Sequence, residues 1–470
     1  MEIKKLIKKY FIADFFVSIV TWLLFCCFRW VANDILVFKE IAIFTPNYNF
    51  FLAISFYPVC CIFISYLTGF YDRMATRSRI VELFSTFIST FISSLITFFV
   101  ILIDDVVVSY HYYYQSFFVL WGTQFLLMYF VRFCITQNYF SKIRRGDIRF
   151  NLLIIGIGQT AENTAQSINN KLRFYGSNLI GFVRISRMPK KVTGKIVGNF
   201  SQIDTIIKQY DIQNIIIALE DEESAFVFDI INHLMRYQNI DINILPRQLE
   251  IITGRVLLND IDSVPLISLS TLSMPAWQRS IKRVFDVVSS SCLLLILSPF
   301  FVYIAFRIKL NSKGPVFYKQ ERIGQGGKPF TIYKFRSMYD NAEKGLPPQL
   351  TQENDQRITS YGRFMRKYRI DELPQLFNIL KGEMSVVGPR PERAYFIQQI
   401  IEEAPYYCLL YKIKPGLLSW GPIKVGYTHS VAEMKERLNY DIIYMDNMSL
   451  FNDIKIIAYS IEIVFKGKGI

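Results

Sequence analysis

The sequence predicts a membrane-embedded α-helical N-terminal region followed by two α/β domains. Three observations carry this. The 470 residues exceed what one hydrophobic core holds, hydrophobic residues reach 51% while charged residues still make up 20%, and the long apolar runs crowd into the first third.

Residues 10–30, 49–70, 83–103 and 113–135 each approach the roughly 20 apolar residues that cross hydrocarbon, so four transmembrane helices are expected within 1–140. The first run is too long for a removable signal and has no small-residue cleavage site after it. Lys4, Lys5, Lys8 and Lys9 precede the first run, Arg73, Arg77 and Arg79 follow the second, and Lys142, Arg144, Arg145 and Arg149 follow the fourth. The alternate loops hold Lys39, then Asp104 and Asp105. That asymmetry puts the N terminus and everything after residue 140 on the cytoplasmic side.

The seven cysteines form no C-x-x-C pair, and six of them lie inside apolar stretches, so neither a disulfide framework nor a zinc site is indicated.

Residues 146–265 read as a middle α/β domain. The buried-strand run 149–157 enters Gly156-Ile157-Gly158, and a helical run follows from Ala161. Strand, glycine turn and helix form a Rossmann-like opening in which helix N-terminal amides can receive a phosphate. The next strand ends in Arg184 rather than in the acidic residue that binds a ribose. A degenerate, non-catalytic module and a nucleotide-binding regulatory module both stay open. Pro246, Pro265 and Pro275 then punctuate a linker leading to Trp277.

A fifth apolar run, 284–306, has Lys282 and Arg283 before it and Arg307 and Lys309 after it, so both ends favour the same side. Ser298-Pro299 is a natural breaking point, because proline cannot donate its amide, and a re-entrant helix-break-helix is expected in place of a fifth span. Asp286 within the run needs a partner, for which Lys282, Arg283 and Arg307 are candidates.

The C-terminal third carries the chemistry. Lys334 and Arg336 share a face if the segment is extended, which suits a diphosphate, although a solvated strand face explains the same pattern. Arg363, Arg366, Lys367 and Arg369 then precede Asp371-Glu372-Leu373-Pro374. Apolar residues at 373, 376, 377 and 380 have helical period, and Pro374 fits only a first turn, so the two carboxylates stand at a helix N terminus. Capping alone would account for them. The preceding cations and the following Gly388-Pro389-Arg390-Pro391-Glu392 point instead to phosphate chemistry. An arginine between prolines is a preset fork for phosphate oxygens, and a carboxylate can hold Mg²⁺ or attack phosphorus.

With these stretches, KRVFD at 282–286, LSPF at 297–300, KFRSM at 334–338, DELPQLFNILKGEMSVVGPRPE at 371–392 and KPG at 414–416, the region 277–470 resembles the catalytic domain of bacterial sugar transferases, the monotopic polyprenyl-phosphate phosphoglycosyltransferases. The whole layout is similar to the long members that start O-antigen lipopolysaccharide, capsule or exopolysaccharide synthesis. The resemblance implies an α/β catalytic domain with a re-entrant helix, facing the cytoplasm from a multi-pass protein of the bacterial inner membrane. It implies that Asp371 attacks the β-phosphorus of a UDP-sugar, releasing UMP, and that undecaprenyl phosphate resolves the phosphosugar-aspartate. Mg²⁺ is the implied cofactor, at Asp371 and Glu372. Arg390 and Arg366 are the implied phosphate binders, with Lys334 and Arg336 beside them. Ser298 and Pro299 match the break of the re-entrant helix, and Lys282, Arg283 and Asp286 its membrane boundary. After KPG the chain departs from the family pattern, reading Leu417-Leu418-Ser419-Trp420-Gly421-Pro422.

The net charge of +14 is then accounted for by cytoplasmic flanks and a phosphate-rich site, with the lipid bilayer as partner and without nucleic acid. A homodimer is left open. A membrane-bound sugar-nucleotide dehydratase would need a Tyr-x-x-x-Lys pair, which the sequence lacks. The alternative of a non-catalytic scaffold or regulator of polysaccharide assembly would predict loss of Asp371, Glu372 or Arg390, and all three are present. The C-terminal run 454–465 with Lys466 and Lys468 suits an interface helix and core packing equally.

Overall fold

The computed structural model describes residues 2–36, 48–72, 79–102, 110–169, 176–185, 194–237, 240–246, 266–269, 274–340, 342, 348–350, 352, 355–426 and 430–465. Lys39, Arg73, Arg77, Asp104, Asp105, Pro265, Lys466 and Lys468 lie outside the described residues. The chain divides into two compact units, 1–145 with 275–281, and 146–274 with 282–470.

The first unit holds helices α1 (Glu2–Leu36), α2 (Tyr48–Leu67), α3 (Arg79–Thr97) and α4 (Tyr110–Arg145). Three stretches, Lys5–Arg29, Arg79–Val100 and Tyr113–Arg145, are long and apolar enough to cross a membrane, and the apolar part of α2 is the shorter Ile54–Leu67. Helix α3 is inside out relative to a water-soluble helix. Its buried residues are Glu82, Thr86, Ser89, Thr90, Ser93, Ser94 and Thr97, while Ile80, Val81, Phe84 and Ile88 are exposed. A helix turned this way puts its apolar side toward lipid and its hydroxyls toward its neighbours.

A buried ion pair joins the first and last of these helices. Arg132 and Asp14 are almost wholly inaccessible, and the guanidinium donates from Nε to Asp14 Oδ1 at 3.0 Å and from Nη2 to Oδ2 at 2.7 Å. Its other hydrogens go to Thr86 Oγ1 and Ser65 Oγ, each at 3.0 Å, and the Phe70 ring lies 3.5 Å from its central carbon. All three nitrogens of the fork, through four of its five N–H donors, therefore have acceptors in this interior, which offsets the desolvation of the charge.

The second unit opens with a sheet ordered β3-β2-β1-β4-β5-β6, from β1 (Phe150–Ile155), β2 (Ser177–Arg184), β3 (Ile196–Asn199), β4 (Ile212–Ile217), β5 (Asp241–Ile244) and β6 (Ile267–Ser268). All pairs are parallel except the last. Alternate residues of β1 and β4 face opposite sides: Leu153, Ile155, Ile215 and Ile217 pack in one cluster, Leu152, Ile154 and Ile216 in another. Both faces are covered, which is why these strands are continuously apolar. The glycine turn leads into α5 (Gln159–Asn169). Its anion seat is filled from within: Glu220 accepts the Thr160 N–H at 2.8 Å and the Thr160 hydroxyl at 2.9 Å. A side chain on Gly158 would meet that carboxylate.

Helix α8 (Ala276–Ile296) and helix α9 (Ser298–Asn311) are bent by 61° at a single residue. Ser298 and Pro299 open α9, where a proline costs no intrahelical bond, and the Ser298 hydroxyl donates to Leu295 O at 2.8 Å. Asp286 does not take the cationic partner expected for it. Its Oδ1 accepts the Val386 N–H at 2.9 Å, because Lys282 reaches Asp453 and Val387 O, Arg283 reaches the carbonyls of Ile379 and Leu380, and Arg307 lies over the Tyr361 ring. These bonds anchor the start of the bent pair to the body of the unit. The C-terminal helix α15 (Leu450–Phe465) packs Asp453, Ile456 and Ser460 inward and leaves Phe451, Ile454, Tyr459 and Ile461 exposed.

Replacing Asp14 by alanine would strand the Arg132 charge and is expected to destabilise the detergent-purified protein by about 3–5 kcal/mol, seen as a lower thermal midpoint. The double variant Asp14→Ala with Arg132→Met should regain most of that loss.

Candidate functional site

Two strands and two irregular segments of the second unit enclose a cavity of about 440 Å³. The strands, β7 (Phe317–Ile323) and β8 (Pro329–Phe335), form an antiparallel hairpin. The segments are the 3₁₀ turn Ile370–Gln375 and the stretch 388–393.

The 3₁₀ turn presents the carboxylates. Arg369, just before it, is held at φ 53°, ψ 24°, a left-handed conformation that costs a non-glycine residue roughly 1–2 kcal/mol. Pro374 fits within a turn this short. Arg369 occupies the N-cap position without a side-chain cap bond, so capping does not explain the acidic pair.

The two carboxylates differ sharply in their partners. Glu372 Oε1 takes Lys334 Nζ at 2.9 Å and Arg390 Nη2 at 2.8 Å, and Oε2 lies 3.5 Å from Arg369 Nη1. Burial pushes its carboxyl upward, but the charges of Arg390, Lys334 and Arg369 outweigh that and hold it well below the usual range. Asp371 is 7% exposed, and no hydrogen bond to its carboxylate occurs among the described residues. Burial and the Glu372 charge beside it raise its carboxyl above the ordinary aspartate value, against the pull of Lys334, Arg366 and Arg390. One carboxylate is a fixed counter-ion and the other faces the cavity unengaged, a separation of roles set by environment.

Six of the expected site residues thus come together: Asp371, Glu372, Arg390, Arg366, Lys334 and Arg336 all line the cavity. Arg366 also donates to Ser337 Oγ at 2.9 Å. Arg336 lines it with part of its guanidinium already committed to the protein backbone. Strand β8 ends at Phe335, so alternation no longer governs residue 336, and its guanidinium donates to the carbonyls of Ser312 and Lys313. It clamps the end of α9 to the strand. Lys282, Arg283, Asp286, Ser298 and Pro299 are not among the cavity-lining residues and belong to the bent helix pair.

The Arg390 segment is locked from several sides. Gly388 N donates to Leu418 O, and Gly416 N to Pro389 O. A side chain on Gly416 would sit 2.1 Å from Gly388 N, so the glycines of the two motifs are needed for their backbones to cross. Glu392 accepts from Arg322 Nη1 at 3.1 Å and also pairs with Arg437 of α14 (Val431–Asp446). Asp441, on the same helix, accepts the Ser419 hydroxyl at 2.7 Å and the Gly421 N–H at 3.1 Å, and burial pushes its carboxyl up to about 6. Arg322, Arg437 and Asp441 escape a reading of the sequence. Their only signal is a charge inside an otherwise amphipathic strand or helix.

Chemically, the cavity offers a surplus of fixed cations around one unengaged carboxylate. That arrangement binds a phosphorylated ligand and can place a nucleophile against it.

Residues 277–467 match the family model described as bacterial sugar transferase, and residues 66–246 match one described as a CoA-binding domain. An uncharacterized sugar transferase of Haemophilus influenzae is 30% identical across 74% of this chain and 75% of its own length. A UDP-N-acetylgalactosamine-undecaprenyl-phosphate N-acetylgalactosaminephosphotransferase of Aeromonas hydrophila is 38% identical over 47% of this chain and 51% of its own. A UDP-glucose:undecaprenyl-phosphate glucose-1-phosphate transferase of Escherichia coli strain K12 is 34% identical over 59% and 60%. The chain spans between about half and three-fifths of the length of these last two relatives.

Glu392→Ala would leave the Arg322 and Arg437 guanidiniums buried without their shared carboxylate. A loss of about 3 kcal/mol or more is expected, measurable as a lower thermal midpoint in detergent.

Proposed function

Because the chain belongs to the bacterial sugar transferase family, we propose that it transfers a hexose-1-phosphate from a UDP-sugar to undecaprenyl phosphate, releasing UMP and starting an exopolysaccharide, capsule or O-antigen. The observation that carries this reading is the unengaged, buried Asp371 in a cation-lined cavity beside a Glu372 already held by three cations.

A carboxylate oxygen of Asp371 attacks the β-phosphorus, and the bond from that phosphorus to the bridging oxygen breaks, so UMP leaves with the electron pair. An oxygen of the polyprenyl phosphate then attacks the same phosphorus and returns the electrons of the phosphorus–aspartate bond to the carboxylate. Arg390, Arg366 and Lys334 neutralise the phosphate oxygens as charge moves between them. Glu372 keeps Lys334 and Arg390 in place for this.

A Mg²⁺ ion fits as a companion of the diphosphate. Among the described residues no cluster of three or more His, Cys, Asp or Glu could hold a metal, so Asp371 and Glu372 would add one or two oxygens to a shell otherwise made by phosphate and water. Bound there, the ion would withdraw charge from the diphosphate.

In the same reading α2, with 20 residues, is the fourth span, and the bent pair α8–α9 is a re-entrant element of the catalytic domain at 277–470. The basic flanks favour a cytoplasmic catalytic domain at a bacterial inner membrane. The strand order supports a Rossmann-like middle domain within 146–265, following four membrane helices in 1–140. Glu220 in its anion seat favours the non-catalytic version of that domain.

The test is UMP release by the detergent-purified full chain, with undecaprenyl phosphate, Mg²⁺ and a panel of UDP-sugars. Lipid-dependent release from one sugar, abolished by Asp371→Asn and by chelating Mg²⁺, is the expected result. Failure of every sugar with folded protein overturns the reading. Arg390→Ala should lower kcat about 10²–10³-fold, as loss of one charge-stabilising donor does. The ionised carboxylate is the attacking form, so kcat/KM should rise with pH as Asp371 deprotonates, with its midpoint above 3.8.

A further inference from the structure

Next to the charged floor of the cavity, strand β7 carries a row of hydrogen-bonded side chains that the proposed reaction leaves without a task. Tyr318, Gln320 and Arg322 alternate along the strand and all line the cavity. Arg322 donates to Gln320 Oε1 from Nε at 3.0 Å and from Nη2 at 2.7 Å, and Gln320 Nε2 donates to the Tyr318 hydroxyl at 3.2 Å. A guanidinium can only donate, so the Gln320 amide has one possible orientation, with its NH₂ group toward Tyr318. The second hydrogen of that group has no partner among the described residues. Arg322 is fixed in turn by Glu392 and the Pro391 carbonyl, so the row is braced from one end.

Its Tyr318 end lies beside the reacting centre. Tyr318 is the cross-strand partner of Lys334, whose ammonium sits on Glu372, the neighbour of Asp371. In a nucleotide-sugar the sugar is joined to the very phosphorus that Asp371 would attack. A neutral ring bearing several hydroxyls must therefore lie within a bond or two of this point, where the guanidinium and ammonium groups match phosphate and the amide and phenol match hydroxyls.

We propose that Tyr318 and Gln320 form the wall that reads the hydroxyl pattern of the transferred sugar, an inference that rests on the transferase reading above. The Tyr318–Gln320 pair is uncharged, and Arg322 fixes the direction of its hydrogen bonds, which is what discrimination between sugars differing in one hydroxyl or acetamido group requires.

The experiment compares the full-length wild type with Tyr318→Phe, which removes one hydroxyl from a partly exposed strand position, and with Gln320→Glu, which keeps the acceptor for Arg322 but removes the amide donor. Each is assayed with UDP-glucose, UDP-galactose, UDP-N-acetylglucosamine and UDP-N-acetylgalactosamine, and for inhibition by UMP. The ratio of kcat/KM between the best and next-best sugars should fall by about five- to tenfold in both variants, with UMP inhibition unchanged. A preserved ratio overturns the inference. So does a preserved ratio accompanied by weaker UMP inhibition, which would assign the row to the nucleoside. A wild type that releases UMP from none of the four sugars removes the transferase reading and this inference with it.

Discussion

Glu372 collects cations from three parts of the chain: Lys334 from a hairpin strand, Arg390 from the proline-flanked stretch and Arg369 from the turn it belongs to. Brought this close and this deep, the three would repel one another without a carboxylate at their centre. Glu392 repeats the device a short distance away, between Arg322 and Arg437. The cavity is thus assembled around two buried glutamates, and the strand, the turn, the proline-flanked stretch and α14 converge because their charged ends meet there. Asp371 lies beside the first node yet outside it, and its environment follows from what its neighbour already holds.

What could be read in the sequence was local. The break at Ser298-Pro299 was visible because proline acts on its own turn, and the Asp371-Glu372 pair stood out because the motif around it is contiguous. Alternation along β8 was legible only as far as Phe335, where the strand ends, so the backbone carbonyls that Arg336 also binds were not foreseen. Arg437 and Asp441 were invisible because their meaning depends on residues far away in the chain, with Glu392 separated from Arg437 by 45 positions and Ser419 from Asp441 by 22. The hydrogen-bond partner of Asp286 was missed because it is a backbone amide, which no sequence pattern advertises, while Lys282 and Arg283 direct their own hydrogen bonds elsewhere.

In the middle sheet the helix N terminus that follows the glycine turn has a partner within the chain. The glycine turn and the helix N terminus persist, but a side chain of the same chain supplies the negative charge. The Thr160 amide, one of the orphan donors of a helix start, is thereby satisfied. The retained glycine at 158 then reflects the room Glu220 needs.

The Asp14–Arg132 pair also bears on how the chain is made. Synthesis runs from the N terminus, so α1 emerges with its aspartate more than a hundred residues before the arginine on α4 exists. An unpaired Asp in the middle of an apolar helix opposes release into lipid by roughly 2.5–3.5 kcal/mol on insertion scales. The first helix therefore has reason to linger at the insertion machinery, or at its polar edge, until the fourth arrives. Hydroxyl-rich α3 is in the same position, with its buried face unsuited to lipid until its neighbours close around it. The buried pair is thus complete only once both α1 and α4 are in place.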